Sequence, residues 1–309
     1  MTHVNDLTGT VRTNPEHELP SHIINALDEA RADRMAALNR SHELAASTKV
    51  TAEERRRLSA DHDDTGHVPD DGIRSALRGF TERITDRPLP TLDLALTDLD
   101  PAPRGADNTM WWARTNWFAD GGVQAAHQSD GLHIYGHRDY NGDNLISFSA
   151  GSWATFELQP ERRGPSVSGR YYSAPYVELF GNVYGWANLQ HCPWTCDDKW
   201  SKCRLFLRQS AIQFVDDIGT WRLCGENTTS RQLVDLDGTG YGHSEALPGY
   251  QPMPSLQFGL LRPDRTLIID LEVRFDVQLE GSSYISFSPQ DNPSGSVITR
   301  YYQWPITPA

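Results

Sequence analysis

The chain has 309 residues, 38% hydrophobic and 22% charged, with 24 Gly and 19 Pro. A chain of that length buries about three quarters of its unfolded surface, and this composition excludes collagen-like, disordered and small disulfide-scaffold classes. Lys and Arg number 28 against 41 Asp and Glu, a net charge of −13. Phosphate backbones bind by being neutralised, so this charge argues against nucleic acid as a partner. No run of about 18 apolar residues marks a transmembrane segment.

Residues 1–20 show no periodicity and read as a flexible tail. They lack the basic start and apolar stretch of a secretory signal, so the expected compartment is cytoplasmic, with release by a non-classical route as the exception. Residues 21–90 read as a helical arm. Ser21 is placed to cap a helix running to about Leu44, whose apolar positions Ile24, Leu27, Met35 and Leu38 make a narrow, incomplete stripe. Thr51 and Glu54 form a capping-box pattern that predicts the start of a second helix. After an Asp- and Gly-rich loop, Ile73, Leu77, Phe80 and Ile84 predict a third helix, stopped by Arg87-Pro88-Leu89-Pro90. These helices carry too few large apolar residues to offset their own ordering entropy. They are expected to pack on the C-terminal region, to pack on copies of themselves, or to stay mobile.

Phe80 is the only aromatic in the first hundred residues, and every Trp and Tyr lies beyond them. Residues 91–309 read as a mainly β domain, an antiparallel, jelly-roll-like β-sandwich. The clearest strand is 269–280. Ile269, Leu271, Val273, Phe275, Val277 and Leu279 alternate with Asp270, Glu272, Arg274, Asp276, Gln278 and Glu280, which predicts one buried face and one wet face. Weaker strands are predicted at 92–96, 132–135, 145–148, 153–158, 176–180, 205–207, 212–215, 256–260, 284–287 and 297–304. Asn141-Gly142 between apolar runs predicts a hairpin turn.

Several constellations could carry function. Aromatic residues exceed what a core needs, and Trp111, Trp112, Tyr171, Tyr172, Trp186, Trp194 and Trp200 are the candidates for an exposed platform that stacks on sugar rings or anchors a protein. The pair Tyr301-Tyr302 belongs to the same excess. His133 and His137 could hold a metal with Asp139. Asp139-x-Asn141-x-Asp143 and Asp235-x-Asp237 resemble pieces of calcium loops, without the distal Glu of an EF-hand. His191, Cys192, Cys196, Cys203 and Cys224 admit disulfides, a zinc site or plain thiols. The carboxylates of Asp270, Glu272 and Asp276 repeat at about 6.5–7 Å along a strand, near the spacing used in glycoside hydrolysis.

Phosphate-binding, dinucleotide-binding and nucleophile-elbow motifs are all absent. The expectation is therefore a non-enzymatic binding or assembly protein that needs no cofactor, with calcium or zinc as candidate ions. Its sandwich binds carbohydrate or a protein partner, and it self-associates. The alternatives are a carbohydrate-active or metal-dependent hydrolase or lyase on the same sandwich and, least favoured, a membrane-active toxin.

Overall fold

A computed structural model describes residues 12–14, 18–60, 108–188, 199–215, 221–237, 240–287 and 296–309, with helix side chains as far as Leu44. Residues 1–49 and 102–309 form one compact unit, and residues 50–101 form another. The elements in chain order are β1 (Arg12–Thr13), α1 (Ser21–Ala60), β2 (Thr109–Phe118), β3 (Gln124–Gln128), β4 (Gly131–Tyr135), β5 (His137–Leu158), β6 (Arg170–Ser173), β7 (Tyr176–Phe180), β8 (Asn182–Ala187), β9 (Trp200–Phe214), β10 (Trp221–Asp237), β11 (Gly242–Ala246), β12 (Gly249–Pro252), β13 (Leu256–Gly259), β14 (Leu267–Ser286), β15 (Val297–Tyr301), β16 (Trp304–Pro305) and β17 (Thr307–Pro308). The helix expected at 73–84 and the strand expected at 92–96 lie outside the described residues.

The strands build an antiparallel β-sandwich. In the large sheet the order is β1-β2-β5-β14, after which β14 pairs with β9 along its first part and with β8 near its end; β10 flanks β9 and β11 flanks β8. A five-stranded sheet, β12-β7-β15-β4-β3, faces it, and β13-β6-β17 form a small third sheet. The core between the sheets holds Val273, Phe275, Val277 and Leu279 of β14 together with Ile134, Val177, Leu179 and Val297.

Asn141-Gly142 does not make a hairpin. Both residues lie inside β5, a continuous strand of 22 residues, and pair with Ser282 and Gly281 of β14. Only there does the register slip, between Leu279 and Gly281, where Gly281 takes a left-handed φ of 63°. A long partner strand supplies ladder hydrogen bonds on both sides of Asn-Gly, and these outweigh its local turn preference.

The helix also differs from expectation. α1 runs unbroken through Thr51, so no second helix starts at that capping box. Its first hydrogen bonds go from the amides of Ile23 and Ile24 to the carbonyl of Pro20, which makes Pro20 rather than Ser21 the cap. α1 packs along the outer face of the large sheet. Leu19, Ile23 and Leu27 meet Ala113, Ile212, Phe214 and Ile268, and Met35 meets Phe118 and Trp153. Between these two apolar contacts, on the same helix face, stands Arg31, only 2% exposed. The stripe looks incomplete in sequence because its middle position carries a charge.

That charge has a partner on the strand face expected to be wet. Asp270 and Glu272 are 5% and 1% exposed, so both faces of β14 are covered here. Arg31 donates to Asp270 at 2.7 Å, to Thr155 at 2.8 Å and to Asn116 at 2.7 Å. Arg34 donates to Glu272 at 2.9 Å, and Arg208 and Arg274 reach the same carboxylate at 2.8 and 2.7 Å. Burial alone would push the Glu272 pKa up; the guanidiniums of Arg208, Arg274 and Arg34 override it and hold the carboxyl at about 2. The polar side of β14 is therefore a buried ion-pair layer roofed by α1.

Candidate functional site

The opposite outer face of the sandwich, on the five-stranded sheet, is covered by no described element. Alternation along β7 sends Val177 and Leu179 into the core and leaves Tyr176, Glu178 and Phe180 on the other face. On β15, Val297 and Thr299 are buried while Ile298 and Arg300 face outward, with Tyr302 following the strand. The ring of Tyr176 lies between Tyr250 of β12, at 4.8 Å, and Tyr302, at 5.3 Å, with planes 29° and 24° apart. In the register of β12 on β7, Tyr250 pairs with Glu178, so it meets Tyr176 on the diagonal, a distance that long aromatic side chains span. Tyr250, at the edge strand, is 60% exposed and has one ring partner among the described residues.

Charge lies beside this column. The Tyr302 hydroxyl donates to the Glu178 carboxylate, and that bond pushes the phenol pKa up. Arg300 sits 3.6 Å from Glu178 and 4.9 Å from the ring centre of Phe180. Tyr302 and Arg300 also line a cleft of about 270 Å³, together with Trp112, His127, Asp130 and Tyr301. The column and the cleft meet at Tyr302, which belongs to both.

Asp130 stands in the β3–β4 turn. The next residue, Gly131, has a φ of 145°, and a Cβ there would lie 2.8 Å from the Thr299 carbonyl oxygen, so only glycine lets the turn come down on β15. The Asp130 carboxylate is 46% exposed, and its Oδ1 lies 2.6 Å from His133 Nε2. That hydrogen bond, first among several causes, holds the Asp130 pKa below the usual carboxylate range. His133 Nδ1 is hydrogen-bonded to Ser296 Oγ at 2.5 Å. Serine, histidine and aspartate are the residue types of an acyl-transfer triad, but the access is inverted. Ser296 is 4% exposed, and the carboxylate faces solvent instead of the hydroxyl. The three residues therefore position a carboxylate and present no nucleophile to the cleft.

The residues singled out from sequence are scattered. Trp112 reaches the cleft, where its Nε1 donates to Thr115 at 2.9 Å. Trp111 lies against the Arg162 guanidinium at 5.6 Å. Tyr171 is buried, stacked on Phe258 at 6.3 Å with its hydroxyl donating to Gly164. Tyr172, Trp186 and Trp200 are half-buried on β6, β8 and β9, the last with Lys202 at 4.9 Å. These rings are distributed over β2, β6, β8 and β9, and Trp194 lies outside the described residues.

Both ring nitrogens of His133 are engaged, so neither faces a metal. His137 stacks on Tyr284 at 5.6 Å and meets Asp139 at 3.7 Å as a surface pair. Asp235 pairs with Lys202 at 3.1 Å, Asp237 is exposed, and the Asp143 side chain lies outside the described residues. Among the described residues no three His, Cys, Asp or Glu side chains gather as a metal site.

Cys203 points into the core and Cys224 contacts Gln213, both as free thiols. Cys203 pairs across the hairpin with Val234, and Gly225, beside Cys224, pairs with Ala211. Eight residues of β9 separate those two levels, about 26 Å by strand rise. A disulfide needs Cα atoms within about 7 Å, so Cys203 and Cys224 share neither a bridge nor an ion. Their prospective partners His191, Cys192 and Cys196 lie outside the described residues.

The strand carboxylates are equally committed. Asp270 and Glu272 lie under α1 in arginine pairs, and Asp276 is held by Arg274 at 2.7 Å and by Ser149 at 2.8 Å. A carboxyl held near 2 stays ionised and cannot serve as a general acid at neutral pH.

Sequence reasoning missed Tyr176, Glu178, Tyr250 and Arg300 as site residues. The signal available was the alternation Tyr176-Val-Glu-Leu-Phe180, whose outward set is aromatic and acidic.

No family model matches the chain, and no curated protein matches it in sequence. Two solved structures show a faint likeness. The C-terminal family 22 carbohydrate-binding module of Clostridium thermocellum Xyn10B shares 15% identity over 60% of this chain and 85% of its own, with a TM-score of 0.15. A xylan-binding domain of the same module family shares 15% identity over 60% and 86%, also with a TM-score of 0.15. A likeness at that TM-score carries no argument about function.

Proposed function

We propose that this protein is a non-enzymatic binding module that holds a carbohydrate chain along the track from Tyr250 to the cleft at Asp130. The observation that carries this reading is the tyrosine column Tyr250–Tyr176–Tyr302 on a sheet face that no described element covers, joined to the cleft through Tyr302. Sugar rings present C–H faces that pack on aromatic rings, while their hydroxyls need fixed donors and acceptors close by. Tyr250, Trp112 and Tyr302 supply the rings; Glu178, Asp130 and Arg300 supply the polar groups. A mixed surface of this kind suits a polyhydroxylated ligand better than the apolar anchors of a protein partner.

Affinity electrophoresis and calorimetry on a panel of soluble polysaccharides test the proposal. Retention on at least one glycan, weakened about tenfold in Tyr250→Ala, is the expected result. Absence of retention on every glycan would remove the reading.

Self-association is a companion proposal. β10 pairs only with β9 among the described strands and exposes Trp221 and Leu223 near its start. Asn227 and Arg231 farther along β10 already bond Ser255 and Glu245, so the stretch near Trp221, with no ladder partner among the described residues beyond β9, is the template for a second copy. Light scattering across a hundredfold range of concentration is expected to show mass rising above the monomer, and a monomer throughout would end it.

A further inference from the structure

The track carries a second piece of information, about ligand charge. Arg300 is the sole Lys or Arg among the described residues lining the cleft, and it is already shared. Its Nε donates to the backbone carbonyl of Asp130 at 2.5 Å, its Nη2 lies 3.9 Å from the Asp130 carboxylate, and its Nη1 lies 3.6 Å from Glu178. Two carboxylates therefore surround one guanidinium, and the whole chain adds a net charge of −13. A ligand carboxylate entering here meets no uncommitted cation.

Asp130 is also held in place. His133 is 3% exposed and bonded on one side to buried Ser296, so it fixes Oδ1 and leaves the exposed carboxylate as a preset acceptor for hydroxyl groups. We infer that the cleft selects neutral glycans over uronic-acid glycans, with Asp130 as the residue that sets this preference and His133 as its positioning residue. The inference rests on the glycan-binding reading and extends it to ligand class.

The test is calorimetry at matched, low ionic strength with three probes: a neutral xylo- or gluco-oligosaccharide series, oligogalacturonates, and cationic chitosan oligomers. The expected result is at least tenfold tighter binding of a neutral series than of oligogalacturonates. Asp130→Asn, on an exposed turn, is expected to weaken neutral binding by about fivefold or more and to shrink the neutral-to-acidic ratio. His133→Ala should reproduce the Asp130→Asn loss, while His133→Gln, which keeps an N–H donor, restores part of the affinity at an unchanged neutral-to-acidic ratio. Thermal melts of each variant separate this outcome from unfolding. Equal or tighter binding of oligogalacturonates than of the neutral series, weaker binding of chitosan than of oligogalacturonates, or an Asp130→Asn protein with wild-type selectivity overturns the inference while leaving glycan binding intact. Failure of all three classes to bind removes both.

Discussion

The outer face of β14 and the outer face of β7–β15 begin alike and end differently. Each follows from period-two alternation, and each carries acidic and arginine side chains. On β14 those charges are matched one against another and roofed by α1: Asp270, Glu272 and Asp276 against Arg31, Arg34, Arg208 and Arg274. On β7–β15 no described element covers the charges, and tyrosines stack among them. An alternating strand marks which side is polar; it does not mark which side is wet. On the covered face Asp270 and Glu272 each have an opposite charge beside them, because a buried charge without a partner is costly.

The hardest way to break this contrast is to remove the same residue type from each face. Arg31→Ala leaves Asp270 buried beneath α1 with Arg208 at 3.5 Å as its remaining cation, and is expected to cost about 3 kcal/mol, the lower end for a broken buried pair, in urea denaturation. A loss below about 1 kcal/mol would mean that α1 is not docked in solution. Acid is the next test. The folded pKa of Glu272, about 2, lies below its ordinary 4.5. Its contribution is therefore fully present above about pH 4.5 and is lost as pH falls toward 2, on the order of 3 kcal/mol. Glu272→Gln should flatten that part of the stability profile, and an unchanged slope would assign acid sensitivity elsewhere.

Two smaller effects sharpen the open face. Tyr250→Ala is expected to weaken glycan binding about tenfold, roughly 1.4 kcal/mol and the scale of one aromatic contact, with an unfolding midpoint close to wild type. A large drop in that midpoint would make Tyr250 a structural residue instead. Arg300→Ala, the counterpart of Arg31→Ala, should change stability by less than about 1 kcal/mol because its side chain is 35% exposed. Loss on the Arg31 scale would show that the two faces do not differ as described.

Some of this was legible before any coordinates. The apolar set from Ile269 to Leu279 does line the core, and Tyr176–Phe180 is β7 as expected. Trp112, singled out from the tryptophan pair, lines the cleft. Asn141-Gly142 misled because turn preference is local, whereas strand pairing is settled by a partner some 140 residues away in Gly281. Tyr250 and Tyr176 gave little signal because each alone is an ordinary strand tyrosine. Their meaning lies in a 4.8 Å cross-strand contact that no local pattern encodes.

By itself, the amino-acid sequence determined the β class of the aromatic-rich region, the course of its longest inward-facing apolar row and the lack of nucleotide-binding motifs. Side-chain alternation and aromatic content are properties of neighbouring residues, so they survive without tertiary contacts. Tertiary structure alone decided that Arg31 meets Asp270 across 239 positions of chain, that β14 has no wet side there, and that the stacked tyrosines lie on a face no described element covers. Burial is a property of what packs on top, and that partner comes from a remote part of the sequence.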